Sequence, residues 1–273
     1  MAFLEVCGVY KSFPQRGRAL TVLRQIQFSV HEGEFVCIIG YSGSGKTTLL
    51  SLLAGLLSPD RGEIYLDGKL VTGPSPERGI VFQNYSLLPW MTVYENVALA
   101  VDALTPDLSP AQRQERTEHY IRLVKLGDAM RKRPAELSGG MRQRVAVARG
   151  LAMEPRVLLL DEPFSALDAL TRSTLQDELA RIWQEHRRTV VMITNDVEEA
   201  ILLADRIFPL TPGPGATLGP EISVSIARPR SKRHLSLDPQ YQRVRREITD
   251  FLVSQRQSIT LAAAHKPREF VLP

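Results

Sequence analysis

The 273-residue chain has 44% hydrophobic and 23% charged residues, an ordinary soluble balance, with length for one large domain or for a domain and an appendage. Its longest apolar run, Leu49 to Leu57, is interrupted and far short of the ~18 continuous residues of a spanning helix; Met1 to Glu5 lacks the parts of a signal peptide, so a cytoplasmic protein is predicted. The net charge of +4 is lopsided: from Ala227 onward ten Lys or Arg face four Asp or Glu, leaving residues 1 to 226 close to neutral.

In chain order, residues 3 to 30 read as antiparallel strands, clearest where Ile26, Phe28 and Val30 alternate with Gln25, Gln27 and Ser29. Pro14 to Ala19 reads as their hairpin loop, and Phe35 to Ile39 as a buried strand. Thr47 to Leu57 places Leu49, Leu52, Leu53 and Leu56 at helical spacing. Glu63 to Leu70, with Asp67-Gly68 inside it, predicts a small hairpin, and a strand from Gly79 to Phe82 delivers Gln83 to its end. Thr92-Val93-Tyr94-Glu95 and Ser109-Pro110-Ala111-Gln112 are capping boxes that open two helices, the second ending near Gly127. Residues 84 to 137 thus form a helical insertion.

Ser138-Gly139-Gly140 then precedes a helix in which Met141, Val145, Ala148 and Ala152 share a face. Val157 to Leu160 is a buried strand ending in Asp161-Glu162-Pro163. A helix from about Thr171 to Arg187 leads to a strand from Thr189 to Thr194, with Asn195 and Asp196 at its tip. This alternation predicts an α/β fold with a largely parallel core sheet, joined to an antiparallel β subdomain and a helical subdomain at about 84–155. Thr211-Pro212-Gly213-Pro214-Gly215 breaks the pattern, and a short strand from Glu221 to Ile226 follows. The main domain is assigned to 1–226. A basic extension, 227–273, has one helix from Asp238 to Gln255 and a flexible polar end; its charge suits a solvated face, or contact with anionic lipid or a regulatory protein. Cys7 and Cys37, both in strand-like runs, are expected as free buried thiols.

The chemistry begins at Gly40-Tyr41-Ser42-Gly43-Ser44-Gly45-Lys46-Thr47-Thr48, a glycine, four residues, then Gly-Lys-Thr between a strand and a helix. Glycines let the backbone N–H groups curl inward at phosphate oxygens, and the helix N-terminus adds its partial positive charge. Lys46 then reaches the β- and γ-phosphates of ATP, and the Thr47 hydroxyl ligates Mg²⁺. Asp161, at the end of a second strand, is expected to hold a water of the Mg²⁺ shell, and Glu162 to orient and deprotonate the attacking water. Leu137-Ser138-Gly139-Gly140-Met141-Arg142-Gln143-Arg144 adds a second anion-binding helix start, although one nucleotide needs only one loop.

That last stretch resembles the signature motif of ATP-binding cassette (ABC) ATPases, and the resemblance covers residues 3 to about 210 with every motif in order. It implies that Phe13 stacks on adenine, with Tyr10 the nearby alternative. It implies further that Gln83 links Mg²⁺ to a membrane partner, and that Phe164-Ser165-Ala166-Leu167-Asp168 crosses a dimer interface. Two cassettes would then sandwich two ATP molecules head to tail, Ser138 and Gly140 of one reaching the γ-phosphate held at Lys46 of the other.

One residue departs from the pattern: Asn195 stands where histidine is usual. Asparagine donates an amide hydrogen bond to a γ-phosphate but cannot become cationic. An active ATPase is expected, with Glu162 as base and Asn195 as neutral sensor; a subunit that binds ATP but scarcely hydrolyses it is the rival. The run from Ile193 to Gly219 resembles ATPases of the nitrate/sulfonate/bicarbonate/taurine import group, nearest its nitrate, nitrite, cyanate and bicarbonate branch. The resemblance implies integral membrane permease subunits, an indirect solute-binding protein, no nucleic acid, and a place on the cytoplasmic face of the inner membrane. Leu87, Leu88, Pro89, Trp90 and Met91 form the expected permease-facing patch.

Overall fold

The computed structural model describes residues 2–15, 17–231 and 235–264. The chain opens with β1 (Leu4–Gln15) and β2 (Arg18–Val30), then β3 (Phe35–Gly40) and α1 (Lys46–Leu53), followed by β4 (Arg61–Leu66), β5 (Lys69–Leu70) and β6 (Arg78–Val81). Three helices come next, α2 (Val93–Leu104), α3 (Pro110–Leu123) and α4 (Gly139–Ala152). The rest comprises β7 (Val157–Asp161), α5 (Ala169–His186), β8 (Thr189–Thr194), α6 (Val197–Leu203), β9 (Arg206–Leu210), β10 (Ile222–Ser223) and a final helix α7 (Pro239–Ala264).

Two sheets result. One is antiparallel, in the order β2-β1-β4-β5; the other is six-stranded, in the order β10-β9-β3-β8-β7-β6. In the second, β3 pairs in parallel with β8 and β9, and β7 with β6 and β8, leaving only the β10 edge antiparallel. Every residue of β3, β7 and β8 is buried, as expected of parallel strands covered on both faces. Val36, Ile38, Val157, Leu159, Val191 and Ile193 join the antiparallel sheet and α1 in one core. Cys37, Ile39, Leu158, Leu160, Val190 and Met192 face the helices in the other. The C-terminal ends of β3, β8 and β7 therefore lie side by side, where parallel sheets bind ligands.

Both capping boxes form: Thr92 Oγ1 accepts from the Glu95 N–H at 3.2 Å while Glu95 accepts from the Thr92 N–H at 2.6 Å, and Ser109 with Gln112 repeats the pattern at 3.3 and 2.9 Å. Several boundaries differ from expectation. α1 stops at Leu53, and α3 at Leu123, beyond which a separate helical turn covers Gly127–Ala129. Pairing of Gln15 with Arg18 tightens the first hairpin, and only Ile222–Ser223 of the segment from Glu221 to Ile226 is strand.

Cys37 is buried but Cys7 is exposed, because Val6 points into the core and strand alternation turns its neighbour outward.

The extension is not a loose tail. Arg228 lies 2.8 Å from Asp205 and its guanidinium sits over the Trp183 ring. Arg230, 8% exposed, donates to four backbone carbonyls, those of Ile226, Ile201, Ala204 and Val224, at 3.0, 2.9, 2.6 and 2.9 Å. Tyr241, Val244, Ile248 and Leu252, at helical spacing on α7, enter the same core as α6. The helix continues to Ala264, past the expected end at Gln255. Lys232, Arg233, Lys266 and Arg268 of the basic count lie outside the described residues.

Candidate nucleotide site

The loop from Gly40 to Thr48 leaves β3 and enters α1 through Gly45, which caps the helix with φ 98°. A side chain there would be strained, and its Cβ would lie 2.8 Å from Val22 of β2. The antiparallel sheet thus leans directly on the phosphate loop. Ser44 is buried with a hydroxyl that finds no protein partner, as fits a loop built for a phosphate oxygen. Ser42 and Gly43 are exposed, and Thr48 is half-buried on the first turn of α1.

Lys46 is only 4% exposed. Its ammonium donates to the carbonyls of Gly40 and Tyr41 at 2.9 and 3.0 Å and lies 3.1 Å from a Glu162 carboxylate oxygen. Thr47 donates to Asp161 Oδ1 at 3.2 Å. Burial raises the pKa of Asp161, opposed by the Thr47 hydrogen bond; the neighbouring Glu162 raises it further and Lys46 lowers it. A hydroxyl and a carboxylate side by side at a phosphate loop form an oxygen donor set that suits Mg²⁺, which takes one or two protein oxygens and completes its shell with phosphates and water. Among the described residues no group of three or more His, Cys, Asp or Glu forms a metal cage of its own.

Glu162 adopts a left-handed backbone, φ 42°, and its N–H donates to Ile193 of β8. Gln83, exposed just beyond β6, reaches the same point: its amide donates to Ser165 Oγ at 3.2 Å, and that hydroxyl donates to the Glu162 carbonyl at 3.0 Å. Ser165 is thus a bridge to which no sequence motif assigns that part.

Asp168 caps α5, accepting from the N–H groups of Leu170 and Thr171 at 3.1 and 3.0 Å, which lowers its pKa. Ser138 caps α4 through Met141 N–H at 3.3 Å. Gly139 is half-buried close to Leu167 and the Tyr85 hydroxyl, and Gly140 is packed on Thr171. The α4 start is therefore built against the Phe164–Asp168 segment.

Asn195 is exposed between β8 and α6. Phe13 is half-buried opposite Leu20, with the Lys11 ammonium 5.7 Å from its ring centroid, and Tyr10 is also half-buried, opposite Arg61. Both aromatics lie on β1, so the choice between them is a matter for mutation. Sequence reasoning also passes over Glu199 and Thr194, which frame Asn195. The only signal for them is the Asp196-to-Glu199 spacing of a helix start.

Comparison with known proteins gives a consistent result. The family profile described as "ABC transporter" matches residues 23–165. The chain is 48% identical to the nitrate import ATP-binding protein NrtD of Synechococcus elongatus, over 92% of this chain and 91% of that protein. It is 48% identical to the nitrate transport protein NasD of Klebsiella oxytoca, over 93% and 97%. With the bicarbonate transport ATP-binding protein CmpC of Synechococcus elongatus it shares 51% over 93% of this chain, which is 39% of that longer protein. Among solved structures, a dimeric ATP-binding cassette in a post-hydrolysis state bound to ADP and phosphate superposes with a TM-score of 0.73 at 31% identity. It covers 82% of this chain and 100% of its own length.

Proposed function

This chain belongs to the ABC transporter family, and from that premise we propose that it is the ATP-hydrolysing subunit of an importer for a small inorganic anion, nitrate or nitrite first. The observation that carries the reading is the meeting of Lys46, Thr47, Asp161 and Glu162 at neighbouring strand ends, in a chain half identical to nitrate and bicarbonate import subunits along nearly its whole length.

The residues divide the work. Gly40 to Thr48 wrap the phosphates of ATP with backbone N–H groups, and Lys46 offers them its ammonium. Thr47 and Asp161, together with Gln83, would hold Mg²⁺, which would supply charge neutralisation at the phosphates. Glu162 takes the proton of the attacking water, and Asn195 donates its amide to the γ-phosphate. Ser138, Gly139 and Gly140 complete the site of a second subunit, identical or related, while Asp168 holds the crossing segment in shape. Phe13 receives the adenine ring.

We place the ATPase domain at residues 1–226, with a helical subdomain at about 84–155, and the extension from 227 packs onto it through Arg230 and α7. Trp90, 65% exposed beside Pro89, is the centre of the surface offered to integral membrane permease subunits, which would hold the chain on the cytoplasmic face of the membrane. A solute-binding protein acts at one remove. No described helix is long and apolar enough to cross a membrane.

Bicarbonate is the second reading, because CmpC is as similar as the nitrate proteins. Uptake of labelled nitrate, cyanate and bicarbonate in a strain lacking this chain separates the two. Loss of nitrate uptake restored by wild type but not by Lys46→Ala is the expected result, and loss of bicarbonate uptake alone selects the alternative. Intact uptake of all three overturns the anion reading.

A further inference from the structure

Glu199 is a buried carboxylate in the first turn of α6, 4% exposed. Ala200, Ile201, Leu202 and Leu203 continue that helix as packed apolar side chains. An ionised group among them is costly unless every oxygen is well partnered. Its partners are specific. Thr194 donates its hydroxyl to one carboxylate oxygen at 2.8 Å, and Gln176 of α5 donates its amide to the other at 2.9 Å. Arg172 of α5 stands 3.9 Å away and also 3.8 Å from Asp196.

The same contacts enclose Asn195. The Thr194 hydroxyl oxygen accepts from the Asp196 N–H at 3.1 Å. The Asp196 carboxylate in turn accepts from the N–H groups of Glu198 and Glu199 at 2.8 and 3.1 Å. Both neighbours of Asn195 are thereby held in a closed ring of hydrogen bonds that includes one buried carboxyl group. The ring is also tied to α5, whose first turn is capped by Asp168 and whose Arg172 donates to the Leu167 carbonyl at 3.1 Å. An exposed asparagine on a free turn would sample many directions, whereas here the residues on both sides of it are held.

We infer that Glu199 is a positioning residue for ATP hydrolysis: through Thr194 it fixes the turn that aims the Asn195 amide, and through Gln176 it braces that turn against α5. This rests on Asn195 being the γ-phosphate sensor. The effect belongs in turnover more than in ATP binding, because the phosphate loop holds most of the nucleotide and Glu199 touches none of it.

The test is a double-mutant cycle on the full chain, reading kcat and KM for ATP hydrolysis. The variants are Asn195→Ala, Glu199→Gln, Thr194→Val and the two doubles that contain Asn195→Ala. Thr194→Val deletes the donor and leaves Glu199 in place, so it guards against a folding failure in Glu199→Gln. Each of the three singles is expected to lower kcat about tenfold, with KM changed less than about twofold, as for a misaimed group. In the Asn195→Ala background neither second change lowers kcat further, because residues acting through one another are not additive. Fully additive losses, or unchanged kcat in both Glu199→Gln and Thr194→Val, overturn the inference while leaving the sensor reading intact. Unchanged kcat in Asn195→Ala removes the sensor reading and this inference with it.

Discussion

The Lys46 ammonium lies 3.1 Å from the Glu162 carboxylate, with the two side chains 4% and 15% exposed. Under the proposed mechanism phosphate oxygens and Glu162 would compete for one cation, so Glu162 would both oppose nucleotide entry and serve as the base once the nucleotide is in. Glu162→Gln removes both effects together. The expected outcome is a fall in kcat of roughly 10²–10⁴, with ATP binding retained or tightened. Steady-state turnover and equilibrium nucleotide binding measure the two halves, and unchanged turnover would sink Glu162 as base.

Asp161 has a raised pKa, chiefly from burial. A carboxyl whose folded-state pKa exceeds its unfolded value contributes stability below the unfolded value and loses it as pH rises through the folded one. At neutral pH the buried carboxylate is therefore a cost to the apo-protein. Asp161→Asn is expected to raise the neutral-pH Tm by about 2–4 °C while abolishing hydrolysis. The gain fades as pH falls through the raised folded-state pKa and is gone below the carboxyl's ordinary 3.8. Melting curves across pH check the sign, and a lower neutral-pH Tm contradicts it.

The local code of the chain was readable where physics is local. Thr92 with Glu95 and Ser109 with Gln112 are cap chemistry four residues long, and both formed. Phe35 to Ile39 and Val157 to Leu160 are apolar runs that only a covered parallel strand explains. Arg228 and Arg230 escaped because their partners, Asp205 and four backbone carbonyls, exist only after α6 and β9 have folded. On the page they read as part of a basic tail. Cys7 departs from expectation for a smaller reason: half of an antiparallel strand faces water, and strand-like sequence does not by itself say which half. Ser165 accepts from Gln83, distant in sequence, and Glu199 accepts from Gln176 of α5; the helix-start spacing from Asp196 marks Glu199 without naming that partner.

Gly140 makes a steric prediction. A Cβ there would collide with the Thr171 Cγ2 methyl, forcing the α4 start away from α5. Gly140→Ala should cost about 1–3 kcal/mol as overpacking and lower ATP turnover. Adding Thr171→Ser deletes the offending methyl and should restore the Tm. Turnover is expected to recover with the Tm in the double variant, because the nearest neighbours of the added methyl are the Thr171 and Leu175 side chains of α5. Calorimetry and turnover on wild type, Gly140→Ala, Thr171→Ser and the double variant separate packing from function.

The last prediction concerns what the extension is for. Arg230 serves four backbone carbonyls from one fork, and burial, then the nearby Arg228, brings its pKa down to about 10, still protonated at neutral pH. Arg230→Met leaves those carbonyls unpaired and should cost on the order of 3 kcal/mol or more. Arg230→Lys should recover only a part of this, since an ammonium cannot reproduce the planar fork. Ending the chain at Ile226 removes Arg230 and uncovers the surface now filled by Tyr241, Val244, Ile248 and Leu252, so the truncated protein should aggregate. Ending it at Gln257 keeps every one of these anchors and should leave the Tm within about 2 °C of the full chain, on the scale of a change under 1 kcal/mol. Any regulatory role of the basic charge is then read from transport by the 1–257 protein and by substitutions of the exposed Arg243, Arg245 and Arg246, where loss of control cannot be mistaken for loss of fold.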